Sequence, residues 1–335
     1  MSNNNINKIY KALEQFNKAN LGVFPTPIHR LENFQKKINH NNIWIKRDDL
    51  TGLGMGGNKV RTLEYLLGDA LLKNSDTILV SGPLQSNMCS IAAAASRKIG
   101  LSCITVHNSN TPKELKGNVT LLSLLNAKSY FIGETDEDER QQFVEKIATE
   151  LKKIGKKPYI ILKGGSTALG ALGYVQAAVE LYEQIKKLKL NIKHVFMPAG
   201  HGGTVAGLIV GAGLLDIPFH VHVISVEHPK HELVKIINNL IKEIEELLDL
   251  KITYPIDQVM TIYDDYMGEG WGKPTKESDS MIYEFPQLEG IFVEKVYTSK
   301  VVVGMVDLLQ KQVIPSDDGA CYWHTGGLPS LFAQV

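Results

Sequence analysis

The stretch His194–Leu215, HVFMPAGHGGTVAGLIVGAGLL, followed by the β-branched run His220–Val226, decides the fold. His194–Met197 reads as a short buried strand. Gly200, Gly202 and Gly203 then break it, and Thr204 opens a helix of small apolar residues. Strand, glycine turn, helix and strand in that order make the βαβ unit of a parallel sheet covered by helices. Bare backbone N–H groups at the helix start offer an anion site, to which Thr204 adds a hydroxyl donor. From this cluster alone a phosphate monoester and a dinucleotide stand level. Glu227, at the end of the second strand, suits the nicotinamide alternative, and purely structural turn glycines are the plain one.

Outward from this unit the alternation continues. Strands are expected at Ile43–Ile45, Thr77–Val80, Ser102–His107, Lys128–Ile132 and Pro158–Leu162. Helices are expected over Val60–Lys73, from near Ser86, Pro112 and Thr135, after Gly165, and over Lys230–Leu248. The acidic run Glu134–Arg140 opens a helix that closes on Lys152 and Lys153, the polarity the helix dipole favours. Between Tyr254 and Pro286 no period survives, which reads as an extended surface or active-site segment. The fold class is α/β, with open, twisted, mainly parallel sheets covered on both faces.

Composition sets the outer limits. The chain has 335 residues, enough for two domains or one large one, with 44% hydrophobic and 21% charged residues, the balance of a globular protein. Thirty-six basic and 36 acidic side chains cancel, so no overall field attracts a nucleic acid or an anionic membrane. Cys89, Cys103 and Cys321 stand alone, without the paired spacing of a zinc site or a disulfide framework, and suit a reducing compartment. The start MSNNNINKIY lacks a secretory pattern, and the longest apolar run, Val205–Leu215, is about half the ~20 residues that span a bilayer. A cytoplasmic protein is the expectation.

Two further glycine clusters, Gly52–Lys59 and Lys163–Gly173, also sit between strand and helix candidates. Gly52, Gly54 and Gly57 have GxGxxG spacing, but the polar run Lys46–Thr51 separates them from their strand, which argues against a dinucleotide site. A Walker loop fails as well, because Lys59 follows Asn58 and precedes Val60. Lys59 is the candidate for chemistry instead, with an ordinary surface lysine as the plain alternative. A lysine in the first turn of a helix lies where the dipole disfavours ammonium, which helps give the neutral amine a Schiff-base lysine requires. His220 and His222 share a strand face but have no third ligand at recognisable spacing, so no metal site is read there.

Seven motifs then stand in order: KRDD (Lys46–Asp49), MGGNK (Met55–Lys59), QSN (Gln85–Asn87), GGSTALGALGY (Gly164–Tyr174), GGTVAGL (Gly202–Leu208), VYTSK (Val296–Lys300) and HTGG (His324–Gly327). From about Phe24 to Leu331 the chain resembles the D-cysteine desulfhydrase and 1-aminocyclopropane-1-carboxylate deaminase family. These are pyridoxal-phosphate enzymes of fold type II, the tryptophan-synthase-β-like class. The resemblance implies that Lys59 binds pyridoxal 5'-phosphate covalently and moves the substrate's α-proton. It implies that Asn58 lies beside the ring hydroxyl, that Ala199, Gly200, His201, Gly202, Gly203 and Thr204 surround the phosphate, and that Thr325 faces the pyridine nitrogen. Ser86 and Asn87 match the grip on the substrate carboxylate, and Tyr297 matches a tyrosine near the substrate amine and α-carbon.

Several positions depart from the family pattern. Thr298 stands where the deaminase branch has a glutamate facing the pyridine nitrogen, and only a carboxylate holds that nitrogen protonated as a full electron sink. Ring opening of a cyclopropane needs that sink more than elimination of a thiolate does, which favours the desulfhydrase branch. Trp271 replaces a phenol in the substrate site, Met88 replaces a histidine, and Ser90 and Ile91 replace an Arg-Gln pair. The implied activity is β-elimination from a small amino acid, D-cysteine first, giving pyruvate, ammonia and hydrogen sulfide. Cysteate or aminocyclopropane carboxylate chemistry is the alternative within the class, and a nicotinamide oxidoreductase or a non-catalytic cofactor carrier the alternative outside it. The resemblance also implies a small domain over residues 60–169, a large one formed by residues 1–59 and 170–335, a cofactor in the cleft between them, and a homodimer.

Overall fold

The computed structural model describes residues 2–335. The chain begins with α1 (Ser2–Leu13), β1 (Ile28–Arg30), α2 (Glu32–Ile38), β2 (Ile43–Arg47) and α3 (Lys59–Leu72). Next come β3 (Thr77–Ser81), α4 (Asn87–Lys98), β4 (Ser102–His107), α5 (Asn118–Leu124), β5 (Lys128–Phe131), α6 (Glu137–Lys153) and β6 (Pro158–Ile161). The second half holds α7 (Ala168–Leu188), β7 (His194–Ala199), α8 (Gly203–Leu214), β8 (His220–Ser225) and α9 (Lys230–Leu248). It closes with α10 (Ile256–Val259), β9 (Met260–Tyr263), α11 (Lys276–Glu289), α12 (Thr298–Gln310), β10 (Ala320–His324) and α13 (Leu328–Leu331).

Two sheets result. One has four strands in the order β5-β4-β3-β6, all parallel, and lies within residues 77–161. The other has six in the order β1-β2-β10-β7-β8-β9, parallel except for the antiparallel edge pair β1–β2. The mainly parallel α/β class read from the alternation is therefore the one observed. In the six-stranded sheet, α7, α8 and α9 pack one face through Val175, Ile209 and Ile237, while α11 and α12 pack the other through Phe285, Val301 and Met305. In the smaller sheet, α3 and α4 cover one face and α6 the other. No helix of the described residues is long and apolar enough to cross a membrane.

Several expected boundaries move, each for a physical reason. The helix expected near Pro112 begins at Asn118, where the Gln85 side chain accepts the Asn118 N–H at 2.8 Å. That cap comes from a distant turn, so no local signal marks it. Strand β7 runs on through Pro198 to Ala199, which a central strand tolerates here because its pairing with β10 stops at Phe196. The segment from Tyr254 to Pro286 is not wholly irregular: it forms α10, the edge strand β9 and most of α11, leaving residues 264–275 as turns.

Candidate active site

Lys59 is the first residue of α3, and the turn before it is pinned from two sides. Gly57 N donates to Asp48 O (2.9 Å) and Thr51 Oγ1 (3.0 Å), and Asn58 N donates to Thr325 O (2.9 Å). The Lys59 ammonium reaches only the Gly164 carbonyl, at 3.2 Å. Burial pulls it down to about 8, against the opposing pull of Glu227. A useful fraction is therefore neutral near pH 7, as attack on an aldehyde requires.

Beneath α3 lies a closed network of buried charge. Arg61 donates to both Asp48 oxygens (2.8 Å each) and both Glu180 oxygens (2.9 Å each). Lys46 donates to Glu180, to Thr26 O (2.8 Å) and to Gln184 Oε1 (2.7 Å). Burial alone would raise the Asp48 carboxyl, but Arg61, Lys46 and the Tyr174 hydroxyl outweigh it and hold it well below the carboxylate range. Two cations against two anions leave no net buried charge, the condition under which such a cluster is tolerated.

Across the cleft, α8 starts at Gly203 with its first N–H groups bare and Gly202 at φ 78°. A side chain at Gly203 would come within 2.7 Å of the Ser166 backbone, so only glycine lets the two loops close on each other. Thr204 Oγ1 accepts from Asn58 Nδ2 at 3.0 Å, tying this cradle to the lysine turn. His201 sits at the rim, 3.3 Å from Glu227 and 3.7 Å from Glu137, and the Glu227 carboxylate raises its pKa. Glu227 Oε2, the oxygen that faces His201 Nδ1, is buried, and Glu227 lines the same cleft as Lys59 and Tyr297.

A second helix start, that of α4, lines the same cleft. Ser86 caps α4, its Oγ accepting Cys89 N–H at 3.3 Å, which leaves its hydroxyl proton free to donate. Asn87 Oδ1 is taken by Asn118 Nδ2 at 2.8 Å, so its amide nitrogen is the donor left over. Gln85 is consumed by the 116–118 backbone.

The remaining wall is α12. Tyr297 precedes its first residue, and Trp271 Nε1 donates to the Tyr297 hydroxyl at 2.7 Å. Burial raises that phenol well above its ordinary value, although the indole N–H works the other way. Glu294, 1% exposed, accepts the backbone N–H groups of Val296 (2.8 Å), Tyr297 (2.7 Å) and Thr298 (2.9 Å). Thr298 is fully buried with Oγ1 turned back to the Glu294 N–H (2.7 Å), whereas Thr325 lines the cleft.

The structure thus gathers Asn58, Lys59, Ser86, Asn87, Ala199–Thr204, Trp271, Tyr297 and Thr325 around one cleft. Sequence reading missed Glu294 and Arg140, which also line the cleft, and read Glu227 as a strand end suited to the nicotinamide alternative. Glu294 alone had a local signal, an acid just ahead of a helix start. His324 faces away from the chemistry: Nε2 meets Phe292 O (2.8 Å), and Nδ1 accepts Gly326 N–H (3.1 Å). His222 shares a hydrogen bond with His194 (3.0 Å), and burial with two neighbouring imidazoles pulls its pKa down to about 2. The described residues hold no group of three metal-ligating side chains.

A depressed lysine facing an amide cradle is a donor set that fits an aldehyde bearing a phosphate, and the fold and cleft together define a pyridoxal-phosphate enzyme. The chain belongs to the pyridoxal-phosphate dependent enzyme family, whose model matches residues 19–326. It is 36% identical over 325 residues to a Pyrococcus abyssi protein provisionally named 1-aminocyclopropane-1-carboxylate deaminase, covering 97% of this chain and 96% of that one. It is 35% identical over 332 residues to D-cysteine desulfhydrase of Serratia proteamaculans, covering 97% and 98%. Among solved structures, an ACC deaminase homologue superposes with a TM-score of 0.89 at 37% identity, over 97% of this chain and 96% of that one. The cofactor is accordingly pyridoxal phosphate and not a nicotinamide dinucleotide.

Proposed function

We propose that the protein is a β-eliminating lyase that converts D-cysteine and water to pyruvate, ammonia and hydrogen sulfide. The observation that carries the choice is the environment of Thr298 and Glu294. Thr298 is a buried neutral hydroxyl, and the nearby carboxylate, Glu294, is spent on three backbone amides. A neutral partner for the pyridine nitrogen, with Thr325 in that role, suits departure of a thiolate better than opening of a cyclopropane.

Pyridoxal phosphate would be held by Lys59 at its aldehyde carbon, by the Gly200–Thr204 amides at its phosphate and by Asn58 at its ring hydroxyl; when bound it accepts the electrons freed as the α-proton leaves. Ser86 and Asn87 hold the substrate carboxylate at the start of α4, where the helix dipole favours an anion. Lys59, as a neutral amine, takes the α-proton. Tyr297 keeps its proton at every working pH and, with its oxygen occupied by the Trp271 indole, presents its O–H to the cleft as a donor. Residues 60–169 form the small domain in this reading, supported by the four-stranded sheet lying wholly inside them. A cytoplasmic location, supported by three free buried cysteines, and a homodimer, to be checked by light scattering, complete it.

The test is a side-by-side assay of D-cysteine, L-cysteine, L-cysteate and aminocyclopropane carboxylate, following pyruvate and 2-oxobutyrate. Pyruvate released fastest from D-cysteine is expected. A rise of even ~5 kcal/mol in the ring-opening barrier slows that reaction several thousandfold, so the contrast is wide. Preferential 2-oxobutyrate formation would overturn the desulfhydrase reading and favour the deaminase.

A further inference from the structure

VYTSK ends in a lysine to which the chemistry above gives no task. Lys300 is 1% exposed, one helical turn beyond Tyr297 on α12. It forms no ion pair within 4 Å among the described residues; its ammonium donates to two backbone carbonyls, Met267 O at 2.7 Å and Gly270 O at 3.3 Å. Both belong to the turns at residues 264–275, which join β9 to α11 without regular structure. Trp271 follows Gly270 directly, is 39% exposed, and meets Tyr297 through a single hydrogen bond. The segment has one other side-chain tie to α12, Tyr266 OH to Asp307 at 2.5 Å. One helix therefore carries the tyrosine, the lysine that grips the loop, and the loop's second anchor.

We propose that Lys300 is a positioning residue for Tyr297, acting through Met267 and Gly270 to hold Trp271 against the phenol. A buried ammonium is a costly way to tie down a surface loop, because its desolvation is answered here by hydrogen bonds to carbonyl dipoles, with the Glu294 carboxylate acting only from beyond ion-pair distance. The geometry accounts for it: several donors on one atom at the end of a long stem can serve two carbonyls at once. Trp271 donates and cannot accept, so it fixes which lone pair of Tyr297 is occupied and leaves the phenolic proton to face the cleft. If the loop lifts, Tyr297 loses that orientation while its backbone stays clamped by Glu294. The inference rests on Tyr297 acting in the reaction.

The experiment is a double-mutant cycle on the holoenzyme with Lys300→Met, Trp271→Phe and both together, and Tyr297→Phe alongside. Two quantities are read: kcat on whichever of the four amino acids turns over, and iodide quenching of the emission that disappears with Trp271→Phe. Lys300→Met is expected to steepen Trp271 quenching while leaving the cofactor absorbance in place, and to lower kcat about 10- to 100-fold, as displacements near 1 Å do. Added to Trp271→Phe, it should lower kcat little further, because coupled residues are not additive. Unchanged quenching, or losses that multiply fully, would overturn the inference. A Tyr297→Phe enzyme at full rate would instead sink the role of Tyr297, a separate failure. Should Lys300→Met not fold, Lys300→Gln, which still donates to the loop, should keep Trp271 shielded; a freed indole there would refute the hydrogen-bond account.

Discussion

Lys46 and Lys300 are both buried completely, and they differ in what answers their charge. Lys46 meets the Glu180 carboxylate inside a cluster that also holds Asp48 and Arg61, under the helix that carries Lys59. Lys300 meets only the carbonyls of a surface loop, beside the helix that carries Tyr297. Charge answered by charge belongs to the body of the fold, so damage there falls on stability. Charge answered by loop carbonyls holds one segment in place, so damage there falls on rate. In the proposed reading the two walls of the cleft serve different ends: one fixes the lysine proposed to hold the cofactor, the other aims a proposed proton donor.

Breaking the first wall at its functional tip gives the largest effect. Lys59→Ala should abolish turnover and the cofactor's absorbance band with the fold intact, since alanine has no amine to form the bond. At the tip of the second wall, Tyr297→Phe should lower kcat by ~10²–10⁴, the range of a lost general acid, with little change in thermal stability. The first wall's foundation behaves in the opposite way. Arg61→Met strands Asp48 and Glu180 and should cost about 3–5 kcal/mol in urea unfolding. A cost under about 1 kcal/mol would erase the contrast between the walls, since that is the scale of a surface ion pair.

Acid sharpens the same contrast. Asp48 and Glu180 are both held below their ordinary values in the folded state. Their stabilising contribution is full above the unfolded carboxylate range, near pH ~4, and is lost as pH falls below it. An Asp48→Asn variant should therefore show a shallower loss of stability between about pH 4 and 2 than the parent, read by denaturant midpoints. The smallest effect is expected at Glu294→Gln, which weakens three charge-assisted amide bonds and should cost about 1.5–3 kcal/mol.

The fold was largely legible because its signals are local. His194–Met197, Ser102–His107 and Lys230–Leu248 are strands and a helix at or near their expected bounds, each declared by β-branched or amphipathic pattern. Strand β10 was not, although it sits between β2 and β7: ACYWH is buried at all five positions, so it shows no alternation. The glycine loops and Lys59 were legible because a tight turn at a helix start restricts residue choice. Glu294, Arg140 and the loop grip of Lys300 were not, because their meaning lies in contacts across the fold, as with Arg140 reaching Ser81 and Asn108 from α6. Trp271 could be placed in the site from its motif, but its hydrogen bond to Tyr297, 26 residues on, needed the three-dimensional structure.

The central claim is that Lys59 is the residue that holds pyridoxal phosphate. Borohydride reduction of the purified holoenzyme, followed by peptide mapping, tests it most directly. A pyridoxyl label on the peptide that contains Lys59, and on no other, is the expected result. A label on Lys163, which lines the same cleft, or on any other lysine with Lys59 unmodified would contradict it.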